Sequence, residues 1–319
     1  RKEGTAIVYI SHKLAEIRRI CDRYTVMKDG SSVCSGIVSD VSNDDIVRLM
    51  VGRELQNRFN AMKENVSNLA HETVFEVRNV TSRDRKKVRD ISFSVCRGEI
   101  LGFAGLVGSG RTELMNCLFG VDKRAGGEIR LNGKDISPRS PLDAVKKGMA
   151  YITESRRDNG FFPNFSIAQN MAISRSLKDG GYKGAMGLFH EVDEQRTAEN
   201  QRELLALKCH SVNQNITELS GGNQQKVLIS KWLCCCPEVI IFDEPTRGID
   251  VGAKAEIYKV MRQLADDGKV ILMVSSELPE IITVCDRIAV FCEGRLTQIL
   301  TNRDDMSEEE IMAWALPQE

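Results

Sequence analysis

A glycine-rich segment with a hydroxyl side chain at its end could bind phosphate. It reads Gly105-Leu-Val-Gly-Ser-Gly-Arg-Thr112 and joins a predicted strand to a predicted helix. Glycines let backbone N–H groups close around phosphate oxygens, and the helix N-terminus adds partial positive charge. The phosphate-loop pattern is G-x-x-x-x-G-K-[ST], in which lysine reaches the phosphates and the hydroxyl binds Mg²⁺. Arg111 replaces the lysine, and its planar fork differs from a compact ammonium. A glycine-rich turn without a ligand is the alternative. The predicted phosphate contacts are Gly105, Gly108, Ser109, Gly110, Arg111, Thr112 and Glu113.

Two adjacent carboxylates follow an apolar segment of strand length. Val239–Phe242 is apolar throughout, and Asp243 and Glu244 come directly after it. Ligands bind at the carboxyl ends of strands in open α/β sheets. We therefore expect Asp243 to hold Mg²⁺, directly or through water, and Glu244 to be a general base toward water. Two carboxylates in a solvated turn are the alternative, but both motifs in this order, about 130 residues apart, argue against coincidence.

A polar segment with two glycines precedes a helix predicted over Gln224–Leu233. Ser220 and the backbone N–H groups that follow it would form an anion site at the start of this helix. An ordinary N-cap is the alternative, and the segment considered by itself favours it. Its position just before the Asp-Glu strand favours the anion site. The predicted anion contacts are Ser220, Gly221, Gly222 and Asn223.

Strands and helices that alternate along the chain are expected to position these motifs. The predicted strands are Phe75–Val80, Ile91–Val95, Glu99–Ala104, Met149–Ile152, Val239–Phe242 and Val270–Val274. The predicted helices are Arg111–Leu118, Asp193–Leu207, Gln224–Leu233, Ala253–Ala265 and Pro279–Cys285. Alternation of this kind predicts an α/β domain with a largely parallel sheet.

The composition narrows the classes of function. The 44 Lys and Arg residues against 45 Asp and Glu residues give a net charge of −1, which argues against a dedicated nucleic-acid binder. The basic segment 83–89 is expected to be a solvated hairpin tip rather than a nucleic-acid patch. No apolar run reaches the ~18 residues of a membrane helix. The ten cysteines contain no C-x-x-C pair, which predicts small, mostly buried side chains, with a reactive thiol as the alternative.

An internal repeat organises the chain. The segment Gly4–Ile17 matches Gly268–Ile281 at a constant offset, and at the same offset the Cys-Asp-Arg sequence at 21–23 recurs at 285–287. We therefore predict that 1–55 is the C-terminal part of a first domain, that 56–73 is a linker, and that 74–319 is a second, complete copy. The sequence starts with Arg1, so we expect it to be a piece of a longer protein.

Taken together, the motifs resemble those of ATP-binding cassette ATPases. Leu219–Asn223 resembles the family's signature, with Asn at its last position, and Gly248–Asp250 resembles its D-loop. His12 resembles the switch histidine. Tandem copies with a weakened second copy are similar to the ATPase subunits of bacterial monosaccharide importers. The resemblance implies an α/β, ABC-type P-loop cassette with a mostly parallel sheet, an antiparallel β part and a helical subdomain at about 155–235, preceded by the tail of another cassette.

The resemblance also implies cofactors and partners. The cofactors would be ATP and Mg²⁺. The protein would power import of D-allose or a related hexose or pentose, together with membrane permease subunits and a periplasmic sugar-binding protein. It would lie peripherally on the cytoplasmic face of the bacterial inner membrane and would bind no nucleic acid. In the family each ATP lies between the Walker motifs of one cassette and the signature of the other, so the missing first cassette would complete both sites.

The second copy departs from the family pattern. Glu154 stands where a Gln usually touches Mg²⁺ and water, and Ser276 stands where the first copy has His12. No aromatic residue between Val80 and Asp90 offers a platform for adenine. Serine cannot position phosphate and water as an imidazole can. We expect the second copy's own site to hydrolyse ATP slowly and the other site, which uses His12 and the signature, to be the faster one. This chain by itself would have little activity.

The resemblance thus assigns roles to individual side chains, and two other functions stay open. The predicted catalytic residues are Glu244, His12 and Ser276, and the predicted metal ligands are Thr112, Asp243 and Glu154. One alternative is a soluble tandem-cassette ATPase of translation or DNA repair, which the charge and the lack of a coiled-coil insertion disfavour. The other is a non-catalytic binding fragment. The aromatic segment Gly160–Phe165 would dock the permease or pack in the helical subdomain.

Overall fold

A computed structural model describes residues 5–10, 14–28, 31–41, 45–46, 72–179 and 191–317. The chain divides into two compact units. One unit comprises Arg1–Val66 together with Ile249–Glu256, and the other comprises Ser67–Gly248 together with Ile257–Glu319. The second unit contains all the sequence motifs described above except the D-loop residues after Gly248 and His12.

The described part of the first unit is one helix followed by a hairpin. The helix is α1 (Leu14–Ile20), and the strands are β1 (Arg23–Lys28) and β2 (Ser31–Ile37). The two strands pair antiparallel, with Arg23 opposite Ile37 and a bulge at Val26/Met27. A short 3₁₀ turn, Val38–Asp40, follows the hairpin.

A six-stranded sheet forms the centre of the second unit. Its order is β12-β11-β5-β10-β9-β8. The five strands from β11 to β8 run parallel, and only β12 is antiparallel to its neighbour. The expected mostly parallel α/β sheet is therefore confirmed. Its strands are β5 (Ile100–Gly105), β8 (Met149–Ile152), β9 (Val239–Asp243), β10 (Val270–Val274), β11 (Arg287–Cys292) and β12 (Arg295–Thr301).

An antiparallel sheet and a set of helices complete the second unit. The strands of the antiparallel sheet are β3 (Thr73–Ser82), β4 (Ile91–Cys96), β6 (Arg124–Leu131) and β7 (Lys134–Asp135). Their order in the sheet is β4-β3-β6-β7. The helices are α2 (Arg111–Phe119), α3 (Pro141–Lys146), α4 (Ile167–Asp179), α5 (Glu191–Leu204), α6 (Gly221–Leu233), α7 (Val251–Asp266), α8 (Leu278–Val284) and α9 (Glu308–Ala315). Only the part of α7 from Ile257 onward belongs to this unit.

Most helix ends lie within two residues of the sequence prediction, and two ends differ from it by three residues. Helix α6 begins at Gly221 rather than Gln224, because extended Ser220 is its N-cap and the Gln224 N–H already donates to the Ser220 carbonyl at 2.9 Å. The two glycines thus lie in the first helical turn and not in a preceding loop. Helix α5 ends at Leu204 rather than Leu207, because Ala206 takes a left-handed conformation with φ of 47°.

A row of buried phenylalanines joins the two sheets. Phe75 and Phe93 belong to the antiparallel sheet, and Phe103 and Phe291 belong to the six-stranded sheet. Successive ring centroids lie 6.4, 5.4 and 5.9 Å apart, within the range of favourable aromatic pairs. The core below the candidate site is therefore shared by both sheets.

The sequence repeat has a structural counterpart. At the offset of the sequence repeat, α1, β1 and β2 have the same bounds as α8, β11 and β12. The hairpin registers agree, since Arg23 faces Ile37 as Arg287 faces Thr301, and both hairpins carry a bulge at equivalent positions. The division at 55 and 73 stays a prediction. Within the described part of the chain, no helix has both the length and the apolar character needed to cross a membrane.

Candidate functional site

A cavity of about 300 Å³ opens at the carboxyl end of the six-stranded sheet. Residues 108–113 of the predicted phosphate loop form one wall, and Glu154, Glu244, Arg247 and Ser276 lie around it. The loop follows β5, Glu244 follows β9, and Ser276 follows β10. Parallel strands thus bring three distant parts of the sequence to one sheet edge, as expected for ligand sites in such sheets.

The phosphate loop is fixed by close backbone contacts. Gly105 and Gly110 have φ of +148° and +106°, and a Cβ at these positions would overlap the carbonyl oxygens of Phe291 and Lys87. The carbonyl of Ser109 accepts a hydrogen bond from the Gly294 N–H at 2.8 Å. Only glycine fits the two tight positions, which explains the spacing of the motif.

The start of α2 is suited to an anion. Its N-cap is Gly110, which provides no side-chain hydrogen bond, so the N–H groups of the first turn are open to a ligand. The Ser109 Oγ is buried and has no hydrogen-bond partner among the described residues. Both observations fit a phosphate group bound in the loop.

Arg111 is anchored at its tip. Its side chain is buried, and its Nη1 donates to the carbonyl of Ser275 at 2.6 Å. Burial lowers the pKa of Arg111, and the carboxylates of Glu244 and Asp243 oppose that shift. The guanidinium therefore contacts the residue after β10 through one nitrogen while Arg111 also lines the cavity.

Asp243 and Thr112 form the candidate magnesium site. The Thr112 hydroxyl donates to Asp243 Oδ1 at 3.3 Å, and the Tyr151 hydroxyl donates to Oδ2 at 2.9 Å. Burial raises the pKa of Asp243, while hydrogen bonds from Tyr151 and Thr112 and the charge of Arg111 lower it. A carboxylate beside a hydroxyl suits Mg²⁺, which usually keeps waters and takes substrate phosphates as ligands. The described residues contain no group of three or more His, Cys, Asp or Glu side chains that could hold a metal.

Glu244 and Ser276 meet across the ends of β9 and β10. The Ser276 hydroxyl donates to Glu244 Oε2 at 3.1 Å. Burial raises the pKa of Glu244, and the hydrogen bond from Ser276 partly offsets this. Glu244 has φ of 49°, a left-handed conformation that is strained for a non-glycine residue and is frequent at functional sites. A carboxyl with a raised pKa is better matched to general-base work near neutral pH.

Glu154 is held by a cation that the sequence reasoning missed. Its carboxylate forms an ion pair with Arg247, and both residues line the cavity. Arg247 follows shortly after the Asp-Glu pair, a position at which sequence reasoning could have sought a phosphate-facing cation. Tyr151 was also missed, although it lies just before the carboxyl end of β8, beside β9.

Glu113 lies at the rim and ties α2 to the basic segment. Its Oε1 accepts a hydrogen bond from Lys87 Nζ at 2.5 Å. The side chains of residues 83–87 are exposed. The carbonyl oxygen of Lys86 lies so close to Gly294, and that of Lys87 so close to Gly110, that a Cβ at either glycine would overlap it. The basic segment is thus a hairpin tip that supports the phosphate loop.

The predicted signature residues are not part of the cavity wall. Ser220 Oγ accepts a hydrogen bond from Asn223 Nδ2 at 3.0 Å, and Asn223 Oδ1 accepts one from the N–H of Lys208 at 3.0 Å. Gly105 also lies behind the cavity wall rather than on it. His12 falls outside the described residues, so its predicted role stays a prediction.

The chain is similar to known proteins along its full length. It is 43% identical to "Ribose import ATP-binding protein RbsA" of Bacillus cereus, covering 99% of this chain and 62% of that protein. It is also 43% identical to "Galactose/methyl galactoside import ATP-binding protein MglA" of Fusobacterium nucleatum subsp. nucleatum, covering 98% of this chain and 61% of that protein. The chain thus spans about three fifths of the length of these curated relatives.

Solved structures and a family model agree with this similarity. The structure of a nucleotide-free ATP-binding cassette from an ABC transporter superposes with a TM-score of 0.66 at 21% identity, covering 77% of this chain and all of that one, which shows a common fold. The family model described as "ABC transporter" matches residues 88–247, half of the chain, a range that includes the phosphate loop, the signature and the Asp-Glu pair. The chain therefore belongs to the ABC transporter family.

Proposed function

We propose that the chain binds ATP with Mg²⁺ in the cavity and forms part of the ATP-hydrolysing subunit of a sugar importer. The observation that carries this proposal is one cavity lined by loop 108–113 and by the hydrogen-bonded pair Glu244–Ser276, with the carboxylate of Asp243 hydrogen-bonded to Thr112 of that loop. The names of the relatives support a sugar as cargo. Our proposal for the sugar is D-allose or a related hexose or pentose.

Each side chain has a role in this proposal. The N–H groups of the loop, Arg111 and Ser109 bind phosphate oxygens. Thr112 and Asp243 hold Mg²⁺, which supplies charge stabilisation to the phosphoryl group when bound. Glu154 would be a further Mg²⁺ ligand if its carboxylate were released from the ion pair with Arg247. Glu244 accepts a proton from the attacking water, and Ser276 orients its carboxylate.

The longer protein would contain two unequal sites. The cavity described above carries Ser276 at the switch position, and a serine hydroxyl cannot act as an imidazole does, so this site hydrolyses slowly. The second site would combine the Walker motifs of a preceding cassette with His12 and the signature Ser220–Asn223. A preceding cassette thus completes both sites, and turnover occurs mainly at the second.

The proposed partners are a membrane permease and a periplasmic sugar-binding protein, with the subunit held peripherally at the cytoplasmic face of the inner membrane. The aromatic segment 160–165 supports a docking role. Phe161 is buried, whereas Phe162 is 48% exposed and stacks on Phe165 with ring centroids 5.1 Å apart. One side of the segment packs inside the helical subdomain and the other is open to a partner.

The test expresses variants of the longer protein in a strain from which its own gene has been deleted. We expect His12→Ala to abolish nearly all ATP turnover and the uptake of labelled D-allose, ribose or galactose, because it removes the imidazole of the faster site. We expect Ser276→Ala to change both by less than about threefold, since it removes a hydrogen bond to the Glu244 carboxylate at the slower site only. Equal losses from the two changes would contradict the unequal sites. Unchanged sugar uptake after loss of ATP turnover would contradict the transport function.

A further inference from the structure

Arg156 connects three segments of the second unit. It begins a π-helical turn, Arg156–Gly160, that follows β8. Its Nη1 donates to the carbonyl of Gly221 at 2.7 Å, and its Nη2 donates to the carbonyl of Gly248 at 3.1 Å. Gly221 is the first residue of α6, in the signature, and Gly248 lies in the loop after the Asp-Glu pair. Single π turns are frequent at functional sites.

Both acceptors are glycines that the guanidinium approaches closely. A Cβ at Gly221 would lie 3.0 Å from Arg156 Nη1, and a Cβ at Gly248 would lie 3.4 Å from Nη2. Gly248 also has φ of +69°. Glycine at both places lets one planar fork reach two carbonyls that belong to separate segments of the sequence.

A second contact joins the segment after β8 to the loop after β9. Glu154, which precedes the π-helical turn, pairs with Arg247, the residue directly before Gly248. At the far end of the turn, Lys231 of α6 donates to the carbonyl of Gly160. The segment 154–160 is therefore tied to the loop after β9 by two contacts and to α6 by two contacts.

This arrangement links the cavity to the signature inside one chain. Glu154 and Arg247 line the cavity, whereas Gly221 does not. Arg156 contacts both the signature and the loop after β9, and these two segments are neighbours, since a Cβ at Gly221 would lie 3.5 Å from the carbonyl oxygen of Gly248. The path from Glu154 or Arg247 to the start of α6 is therefore short and ends in a charge-assisted hydrogen bond.

We propose that Arg156 is a positioning residue that couples the nucleotide cavity to the signature, by holding Gly221 and Gly248 at a fixed separation. The proposal rests on the proposed function, because it takes the cavity ligand to be a nucleotide. Arg156 does not touch the nucleotide. Its role is to make the position of the signature depend on the state of the cavity.

The test measures hydrogen exchange in the 319-residue chain, at 219–226 and 243–248, without ligand and with saturating Mg²⁺–ATP. ATP affinity is measured in parallel by titration. We expect Arg156→Ala to speed ligand-free exchange in both segments by about tenfold, as for the loss of charge-assisted hydrogen bonds. The ATP-induced protection of 219–226 should disappear, while ATP affinity stays within about threefold, since a positioning residue makes no ligand contact.

Two further variants keep the result decisive. Arg157→Ala is the matched control, because Arg157 is the next residue in the same turn and its side chain is exposed. It should behave as the parent chain. Arg156→Lys keeps the charge but reaches only one carbonyl, so one of the two segments should exchange faster.

The outcomes separate the two proposals. Arg156→Ala exchanging like Arg157→Ala would overturn the coupling role. If Arg156→Ala does not fold, parent-like exchange of Arg156→Lys in both segments would overturn it instead. A parent chain that binds no ATP would overturn the proposed function, and the ligand-free comparison of Arg156→Ala with Arg157→Ala would still decide whether Arg156 holds the two segments together.

Discussion

Asp243 shows how the chemistry of a site opposes the stability of the fold. Its carboxyl is 1% exposed and receives hydrogen bonds from Tyr151 and Thr112. Arg111, the cation whose charge favours the ionised form, donates to Ser275 instead of to this carboxylate. A buried carboxylate without a direct ion pair is costly until a cation arrives. The residue is therefore suited to hold Mg²⁺ rather than to stabilise the ligand-free chain.

This cost predicts that Asp243→Asn stabilises the ligand-free protein. Burial raises the pKa of Asp243 in the folded state above its unfolded value. Its contribution to stability is then fully present below the unfolded pKa and is lost as pH rises through the folded pKa. Asparagine keeps the shape without the charge. The free energy of unfolding at pH 7, measured by urea denaturation without Mg²⁺, should rise by about 1–2 kcal/mol, the order of a buried polar group's penalty.

The pH dependence provides the internal check on this prediction. The difference between Asp243→Asn and the parent chain should shrink as pH falls toward 4, because the parent carboxyl becomes protonated. Asp304→Asn is the control, since Asp304 is exposed. A parent chain that is more stable than Asp243→Asn at pH 7 would show that burial does not govern this carboxyl.

Sequence reasoning identified the functional residues that follow apolar strands. It missed residues that contact those functional residues from distant parts of the sequence. Asp243 and Glu244 were identified because a run of four apolar residues ends directly before them. Tyr151 and Arg247 were missed because each contacts a residue in a distant part of the sequence, Asp243 in the first case and Glu154 in the second. Such contacts depend on strand order, which the residue types do not encode locally.

Among the elements, the buried parallel strands were predicted best. The bounds of β8 and β10 agree with the sequence prediction, since each is a short apolar run between polar neighbours. The strand β6 was not predicted, because Arg124–Leu131 contains two glycines and three charged residues and only two of its side chains are buried. A strand on a half-exposed sheet gives a weaker pattern than one buried on both faces.

The packing between the two sheets predicts a large effect for Phe103→Ala. Phe103 is fully buried and lies between Phe93 and Phe291 in the aromatic row. Removing the ring leaves a cavity at the junction of the sheets, which should lower the free energy of unfolding by about 3–5 kcal/mol. Thermal or urea denaturation measures this change.

A second aromatic variant controls for loss of a phenyl ring as such. Phe162→Ala removes a half-exposed ring outside that row and should cost less than about 1 kcal/mol. Similar losses in Phe103→Ala and Phe162→Ala would mean that the aromatic row does not join the sheets energetically.

For the whole molecule, the repeat was the most informative sequence feature. When the offset of the repeat is added to their residue numbers, α1 and the β1–β2 hairpin have the same bounds as α8 and the β11–β12 hairpin. The sequence could not predict how the phosphate loop is held. Gly110 meets the carbonyl of Lys87 from the antiparallel sheet's hairpin, and Gly105 meets the carbonyl of Phe291 from β11. These contacts exist only when the two sheets are assembled.

The loop therefore depends on both sheets, and one titration tests whether it forms an ATP site. Titration of Mg²⁺–ATP into the 319-residue chain should give about one bound nucleotide per chain, because the cavity has a single phosphate loop. Gly110→Ala should weaken binding by at least about tenfold, since a Cβ there displaces the loop. Gly126→Ala is the matched control, because a Cβ at Gly126 meets no atom within 4 Å. It should bind as the parent chain does. No binding to the parent chain, or equal binding to Gly110→Ala, would contradict the assignment of this cavity to ATP.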